Sequence, residues 1–269
     1  MKLLQITDTH VPAAGNLIYG VDARARLEAC VDDINAHHPD ADWCIVTGDL
    51  VNHGGEDEYE NLRPVLDRLA VPLRVLPGNH DDRGALRRHF PATPHDADGH
   101  VQSIIDTDEG RLVFIDTLDP GRSSGILCDR RLAWIRERLD ESANAPVYLF
   151  LHHPPLAVGI EYMDGIALRN GEALWQAIAP HARRIRLMAF GHVHRPISGL
   201  WHGVPFACCP STVHQVSLDL ASHPEPRLDF NLEPPCYAIY RIERDTLVAH
   251  QQRYSENWKT FPRVGVRGT

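Results

Sequence analysis

Short apolar runs alternate with segments whose apolar residues recur three or four positions apart. Lys2–Thr7, Trp43–Thr47, Leu73–Leu76, Val147–Leu151 and Ile185–Phe190 are continuous runs of strand length. Between them, Arg24–His37 places Leu27, Val31 and Ile34 on one helical face. Glu56–Ala70 does the same with Tyr59, Leu62, Leu66 and Leu69, and Pro64 is expected to kink that helix or move its start. Asp129–Leu139 and Gly171–Ala179 complete the predicted helices, while Asp108-Glu109-Gly110 between Val101–Ile105 and Leu112–Asp116 reads as a hairpin turn. Beyond residue 200 the helical spacing stops. Val204–Cys209, Val213–Leu218, Cys236–Ile242 and Leu247–Gln252 read as strands, interrupted by Pro224, Pro226, Pro234 and Pro235. The pattern predicts one α/β domain: a core over 1–200, its β-rich completion over 201–254, and a polar C-terminal arm over 255–269.

Composition adds exclusions. The 269 residues are 43% hydrophobic and 23% charged, which opposes disorder and permits a sizeable core. With 27 Lys+Arg against 36 Asp+Glu, the net charge of -9 disfavours a sequence-independent nucleic-acid binder. The N-terminal apolar run is too short for a signal-peptide core, and no stretch approaches the roughly 18 apolar residues of a membrane helix. A cytoplasmic protein without membrane contact is expected. Cys30, Cys44, Cys128, Cys208, Cys209 and Cys236 form no CxxC pair, so they are expected to be free thiols.

The unusual count is histidine, at 17. Position narrows it. Five polar clusters follow apolar runs: Asp8-Thr9-His10, Gly48-Asp49, Gly78-Asn79-His80-Asp81, His152-His153 and Gly191-His192-Val193-His194. Residues just past strand carboxyl ends converge on one crevice in α/β sheets. Carboxylates, an amide oxygen and imidazoles without thiolates suit Mn, Fe, Co or Zn and argue against a structural zinc site. If the chain stays extended, D-x-H and H-x-H place both side chains on one side, because strand alternation has period two.

In this order the clusters resemble the calcineurin-like metallophosphoesterases: D-x-H, G-D, G-N-H-D, a His cluster, then G-H-x-H, spanning residues 1 to about 195. Leu151-His152-His153-Pro154-Pro155 and Thr212-Val213-His214-Gln215-Val216 resemble the class III cyclic-nucleotide and glycerophosphodiester phosphodiesterases. The resemblance implies a four-layer αββα sandwich with a β-rich C-terminal part. It also implies two divalent metal ions (Fe, Mn, Zn or Co). Asp8, His10 and His194 would hold the first, Asp49 would bridge, and Asn79, His152 and His192 would hold the second. The adjacent His153 leaves the His152 choice open.

By the same resemblance, hydroxide between the metals attacks a small phosphodiester. His80 contacts a phosphoryl oxygen or protonates the leaving alkoxide, and Asp81 orients His80. Asn52, His53 and His214 are candidate substrate contacts. The phosphoprotein phosphatases of the superfamily read G-D-x-V-D-R-G, whereas this chain has Gly48-Asp49-Leu50-Val51-Asn52-His53-Gly54, without the arginine. Relatives assemble, so a homo-oligomer is expected. A phosphomonoesterase, a nuclease and a non-catalytic scaffold on the same fold are the alternatives.

Overall fold

A computed structural model of the chain describes residues 1–142 and 144–254. The first half contains β1 (Lys2–Ile6), α1 (Ala23–His37), β2 (Trp43–Thr47), α2 (Glu56–Leu66), β3 (Leu73–Leu76) and α3 (Arg83–His89). There follow β4 (Ser103–Thr107), β5 (Gly110–Phe114), α4 (Asp129–Glu141), β6 (Val147–Phe150), α5 (Glu161–Gly165), α6 (Gly171–Ile178), a 3-10 segment over Ala179–Arg184 and β7 (Ile185–Phe190). The remainder comprises β8 (Ile197–Trp201), β9 (Val204–Cys208), β10 (Gln215–Val216), β11 (Phe230–Asn231), β12 (Cys236–Ile242) and β13 (Leu247–Arg253).

Among the described residues, one sheet has the order β13-β12-β1-β2-β3 and the other β4-β5-β6-β7-β9-β8. The two sheets pack face to face between helices, as the αββα expectation required. Side-chain alternation explains why the strands are apolar on both faces. In β1, Leu4 and Ile6 enter a core with Leu27, Val31 and Leu62 of α1 and α2. Leu3 points the other way, into the core between the sheets, which also holds Ile45, Phe114 and Phe150. In β7, Met188 and Phe190 pack with Leu132, Ile135 and Leu174 on the far side, while Leu187 and Ala189 face the central core. One buried polar group crosses that central layer. Gln5 Nε2 donates to Thr47 Oγ1 (2.8 Å) and to the Phe190 carbonyl (3.1 Å), and Tyr240 Oη donates to Gln5 Oε1 (2.6 Å). Its polar atoms are therefore satisfied, as burial demands.

The neighbours β1, β2 and β3 are parallel, as are β5, β6 and β7. Their carboxyl ends therefore open at the same edge of each sheet, and the polar clusters of the sequence sit there. Beyond residue 200, β9 pairs with β7 and β12 pairs with β1, so this segment hydrogen-bonds into both sheets.

Several sequence expectations change. The second helix ends at Leu66 rather than Ala70, two residues after Pro64, which removes a backbone donor. The expected strand Val213–Leu218 shrinks to Gln215–Val216, because Thr212 and Val213 form a bend that leads into His214 at the site. Strand β8 was not predicted. It joins β9 through His202 (φ +48°) and Gly203 (φ +83°), a tight two-residue turn with both positions left-handed. All six cysteines are free thiols, five of them buried. The C-terminal arm expected from Ser255 lies outside the described residues. No described helix is long and apolar enough to cross a membrane.

Candidate metal centre

The loop after β1 carries Asp8 and His10, and those after β2 and β3 carry Asp49 and then Asn79, His80 and Asp81. The second sheet brings His152 past β6, and His192 and His194 past β7. The extended D-x-H and H-x-H geometry expected from the sequence does not occur. Asp8 (φ +52°), His10 (φ +41°), Asp49 (φ +49°), His192 (φ +67°) and His194 (φ +51°) are all left-handed. Non-glycine residues held this way cost on the order of 1–3 kcal/mol each, and they persist where the surroundings over-determine them. Here hydrogen bonds do so. Asp8 N donates to the Gly48 carbonyl (3.0 Å), His10 N to that of Asp49 (3.0 Å), and His192 N to Asp8 Oδ2 (3.0 Å). Each left-handed residue turns its side chain inward, so the pairs meet by a different backbone route.

Two donor groups result. In one, His10 Nε2 lies 3.1 Å from His194 Nε2, which lies 3.2 Å from Asp8 Oδ1. In the other, His152 Nε2 lies 3.2 Å from Asn79 Oδ1 and 3.3 Å from His192 Nδ1. Asp49 Oδ2 stands between them, 3.7 Å from His10 Nε2 and 3.4 Å from His152 Nε2.

The outer hydrogen bonds set the tautomers. His152 Nδ1 donates to the Thr47 carbonyl (2.8 Å) and His194 Nδ1 to the His214 carbonyl (2.9 Å). A carbonyl only accepts, so neutral His152 and His194 present Nε2 lone pairs inward, as metal-ligating histidines do. Buried imidazole nitrogens that converge with carboxylate and amide oxygens are a donor set that fits divalent cations.

The electrostatics reflect the crowding. Burial alone would raise Asp8, but neighbouring His194 and His152 hold it at about 2. Asp49 is likewise pushed well below the carboxylate range, against burial, by His152, His80 and His10. Burial opposes a proton on His152, yet Asp49 and Asp8 raise it to about 9. Burial and the charge of His152 lower His192 to about 3.

His153 differs from its neighbour. It is buried beside His152 and His192, but Thr117 Oγ1 contacts its Nδ1 (2.8 Å) and the Ser123 carbonyl accepts from its Nε2 (3.2 Å). His80 Nδ1 donates to the Asn52 carbonyl (2.7 Å), and His80 N donates to Asp49 Oδ1 (2.9 Å). Asp81 was expected to orient His80, but no hydrogen bond joins the two among the described residues, and Asp81 is buried. It is 7% exposed and accepts from Gly78 N (2.8 Å), Leu50 N (3.2 Å) and Tyr59 Oη (2.9 Å). The carboxylate thereby ties the loop after β2 to the loop after β3. His53 is exposed and turns to Glu58 Oε1 (3.0 Å) at the start of α2, outside the cavity. Glycine is required where backbones touch. A Cβ on Gly191 would overlap Thr7 Oγ1, and one on Gly78 would overlap Asp49.

A cavity of about 320 Å³ opens on this cluster. One half is lined by His10, Asp49, Asn79, His80, His192 and His194, with Asn52 and His214 at its border. The other half is apolar, lined among others by Leu17, Tyr19, Met163, Ile166, Leu228 and Phe230. The sequence signalled the polar half through its motifs. The apolar half comes from separate loops with no shared pattern.

The sequence profile of the calcineurin-like phosphoesterases matches residues 1–196. The chain belongs to this family. Members at higher similarity include a probable cyclic nucleotide phosphodiesterase of Rhodopseudomonas palustris, 43% identical across 93% of this chain and 92% of the relative. A probable glycerophosphodiester phosphodiesterase of Arcobacter nitrofigilis is 33% identical across 100% of this chain and 98% of its own. Among solved structures, a dimetal phosphatase from Danio rerio shares the fold with a TM-score of 0.70, at 15% identity, over 94% of this chain and 99% of its own. The phosphoesterase resemblance and the αββα architecture read from the sequence are both borne out. The His/Asp cluster in a member of this family implies divalent metals.

Proposed function

We propose that this phosphoesterase uses two divalent ions, drawn from Fe, Mn, Zn or Co, to hydrolyse small phosphodiesters of the cyclic-nucleotide or glycerophosphodiester type. The observation that carries this reading is Asp49 Oδ2, which faces His10 Nε2 at 3.7 Å and His152 Nε2 at 3.4 Å. One carboxylate thus addresses two donor groups: Asp8, His10 and His194 on one side, and Asn79, His152 and His192 on the other. His153 is left out because both of its ring nitrogens are already engaged. When bound, two such ions supply positive charge against phosphoryl oxygens and lower the pKa of coordinated water toward neutrality.

The chain's own residues orient the ester and manage its proton. With Nδ1 committed to Asn52, His80 has Nε2 available to hydrogen-bond a phosphoryl oxygen or protonate the departing alkoxide. Burial disfavours its proton, but Asp49 and the Asn52 carbonyl outweigh burial and raise its pKa, which suits an acid. Asp81 is a positioning residue, since its oxygens are spent on the two loops. Asn52 and His214 border the cavity and remain substrate contacts in this reading, whereas His53 does not. The names of both curated relatives support a diester substrate. A net charge of -9 disfavours long polyanions.

The strand pairings of β9 and β12 support reading 1–200 and 201–254 as one domain. Six unbridged cysteines support a reducing, cytoplasmic setting. A homo-oligomer follows from the resemblance, and sedimentation of the full chain tests it. The activity is tested by a panel of cyclic AMP, glycerophosphocholine, bis-nitrophenyl phosphate and nitrophenyl phosphate after loading with each metal. Preference for diesters supports the reading, and hydrolysis of the monoester alone overturns it.

A further inference from the structure

We infer that Tyr19 and Phe230 form an aromatic ledge that receives a planar organic substituent of the phosphodiester, so that this pair sets substrate preference at the centre proposed above. Tyr19 is at the tip of a turn closed by Ile18 and Val21, whose backbones exchange hydrogen bonds (2.9 and 2.8 Å). Tyr19 (φ +48°) and Gly20 (φ +78°) are both left-handed. Asn-Gly or Asp-Gly fills such a turn with little strain, and a bulky residue at the first position is disfavoured. Tyr19 is nevertheless held there with 59% of its surface exposed, into the cavity mouth.

Phe230 arrives independently. Strand β11 pairs it opposite Val216, and its ring centroid lies 5.0 Å from that of Tyr19 at an interplanar angle of 31°. At that spacing the two rings overlap in a tilted, offset stack that leaves Tyr19 59% and Phe230 36% exposed. His214 joins that surface to the metal centre. Its ring lies 4.9 Å from both Tyr19 and Phe230, edge to face, and 4.6 Å from His194. A phosphodiester with its phosphorus among the donor groups would therefore lay its organic part along the ledge.

The residues that line the apolar half of the cavity include no charged side chain, so it offers no base to a second anion. Its chemistry matches an uncharged flat ring such as a nucleobase, which stacks on aromatic faces whatever its edge pattern. A glycerol substituent would leave the ledge uncovered.

The test is calorimetric binding to the metal-loaded full chain of a slowly hydrolysed adenosine 3′,5′-cyclic phosphorothioate and of glycerophosphoglycerol. Wild type is expected to bind the nucleotide more tightly. Tyr19→Ala and Phe230→Ala should narrow the ratio of the two dissociation constants by roughly tenfold, while Tyr19→Phe and Phe230→Tyr keep it within about twofold. Equal affinity for both compounds in wild type, or an unchanged ratio in the alanine variants, overturns the ledge. Turnover measured on the same samples separates the two proposals. The expected binding ratios without hydrolysis of any diester would sustain the ledge and sink the catalytic reading.

Discussion

Asp49, at the end of β2 in one sheet, reaches within 3.4 Å of His152 Nε2, at the end of β6 in the other. The contact spans the two halves of the sandwich. Packing between the sheets therefore sets the spacing of the donor groups, and proton binding, metal binding and folding are linked through this pair.

The first consequence is a pH dependence of metal uptake. Against the opposition of burial, Asp49 and Asp8 raise metal-free His152 to about 9, and a cation must displace that proton from Nε2. Affinity should rise with pH, by up to about tenfold per unit for this one proton, and level off above about 9. Calorimetry at pH 7 in buffers of different ionisation enthalpy should register release of about one proton. No release would contradict the assignment of His152. The sign for stability is opposite. The folded pKa lies above the unfolded one, so the His152 contribution to the metal-free fold is full below about 6.5 and is lost as pH rises through about 9.

Asp81 should prove structural. In the metal-loaded protein, where Asp49 is neutralised and Asp81 is ionised, Asp81→Asn replaces an acceptor oxygen by a donor facing backbone N–H groups, and should cost roughly 2–3 kcal/mol in urea unfolding. Tyr59→Phe removes one bond to the same carboxylate (2.9 Å) and should cost about 1 kcal/mol. Burial and the Asp49 charge push Asp81 up to about 7 in the metal-free protein. Its ionisation thus opposes folding. Metal-free stability should fall as pH rises from about 4 through 7, a slope that metal loading should reduce by neutralising Asp49. An Asp81→Asn protein as stable as wild type would show that the loops after β2 and β3 do not depend on this carboxylate.

Gly191 is required for contact rather than for turning. Alanine there would meet Thr7 Oγ1 and crowd Asp8, whereas a Cβ on Gly165 meets nothing within 4 Å. Gly191→Ala should lose roughly 1–3 kcal/mol and weaken metal binding, while Gly165→Ala stays near wild type. Thermal melts of the two variants, with and without metal, decide the matter. Equal behaviour of the pair would refute the close-packing argument.

Much of the site was legible in the sequence because its residues follow strand ends, and strand ends are marked by apolar runs stopping at Gly-Asp or Gly-Asn-His. The order of clusters carried the family resemblance, and parallel pairing of β1–β3 and β5–β7 brought them together. The backbone route was not legible, since the left-handed conformations of Asp8 and His10 are held by the carbonyls of Gly48 and Asp49 in a distant loop. Nor was the environment of Asp81, whose burial comes from Tyr59 in a helix 22 residues earlier. The different outer partners of His152 and His153, Thr47 and Thr117, were also beyond the sequence, since no local pattern links them. Strands β8 and β11 leave no clear pattern, because Ser198-Gly199 interrupts the apolar run of β8 and β11 is only two residues long.

The most direct test of the account is turnover of bis-nitrophenyl phosphate by Asp49→Ala at saturating metal. Removing a carboxylate that faces both donor groups should abolish hydrolysis, with a loss on the order of a thousandfold or more, and excess metal should not restore it. Wild-type turnover by Asp49→Ala would contradict the dinuclear centre on which the proposed function rests.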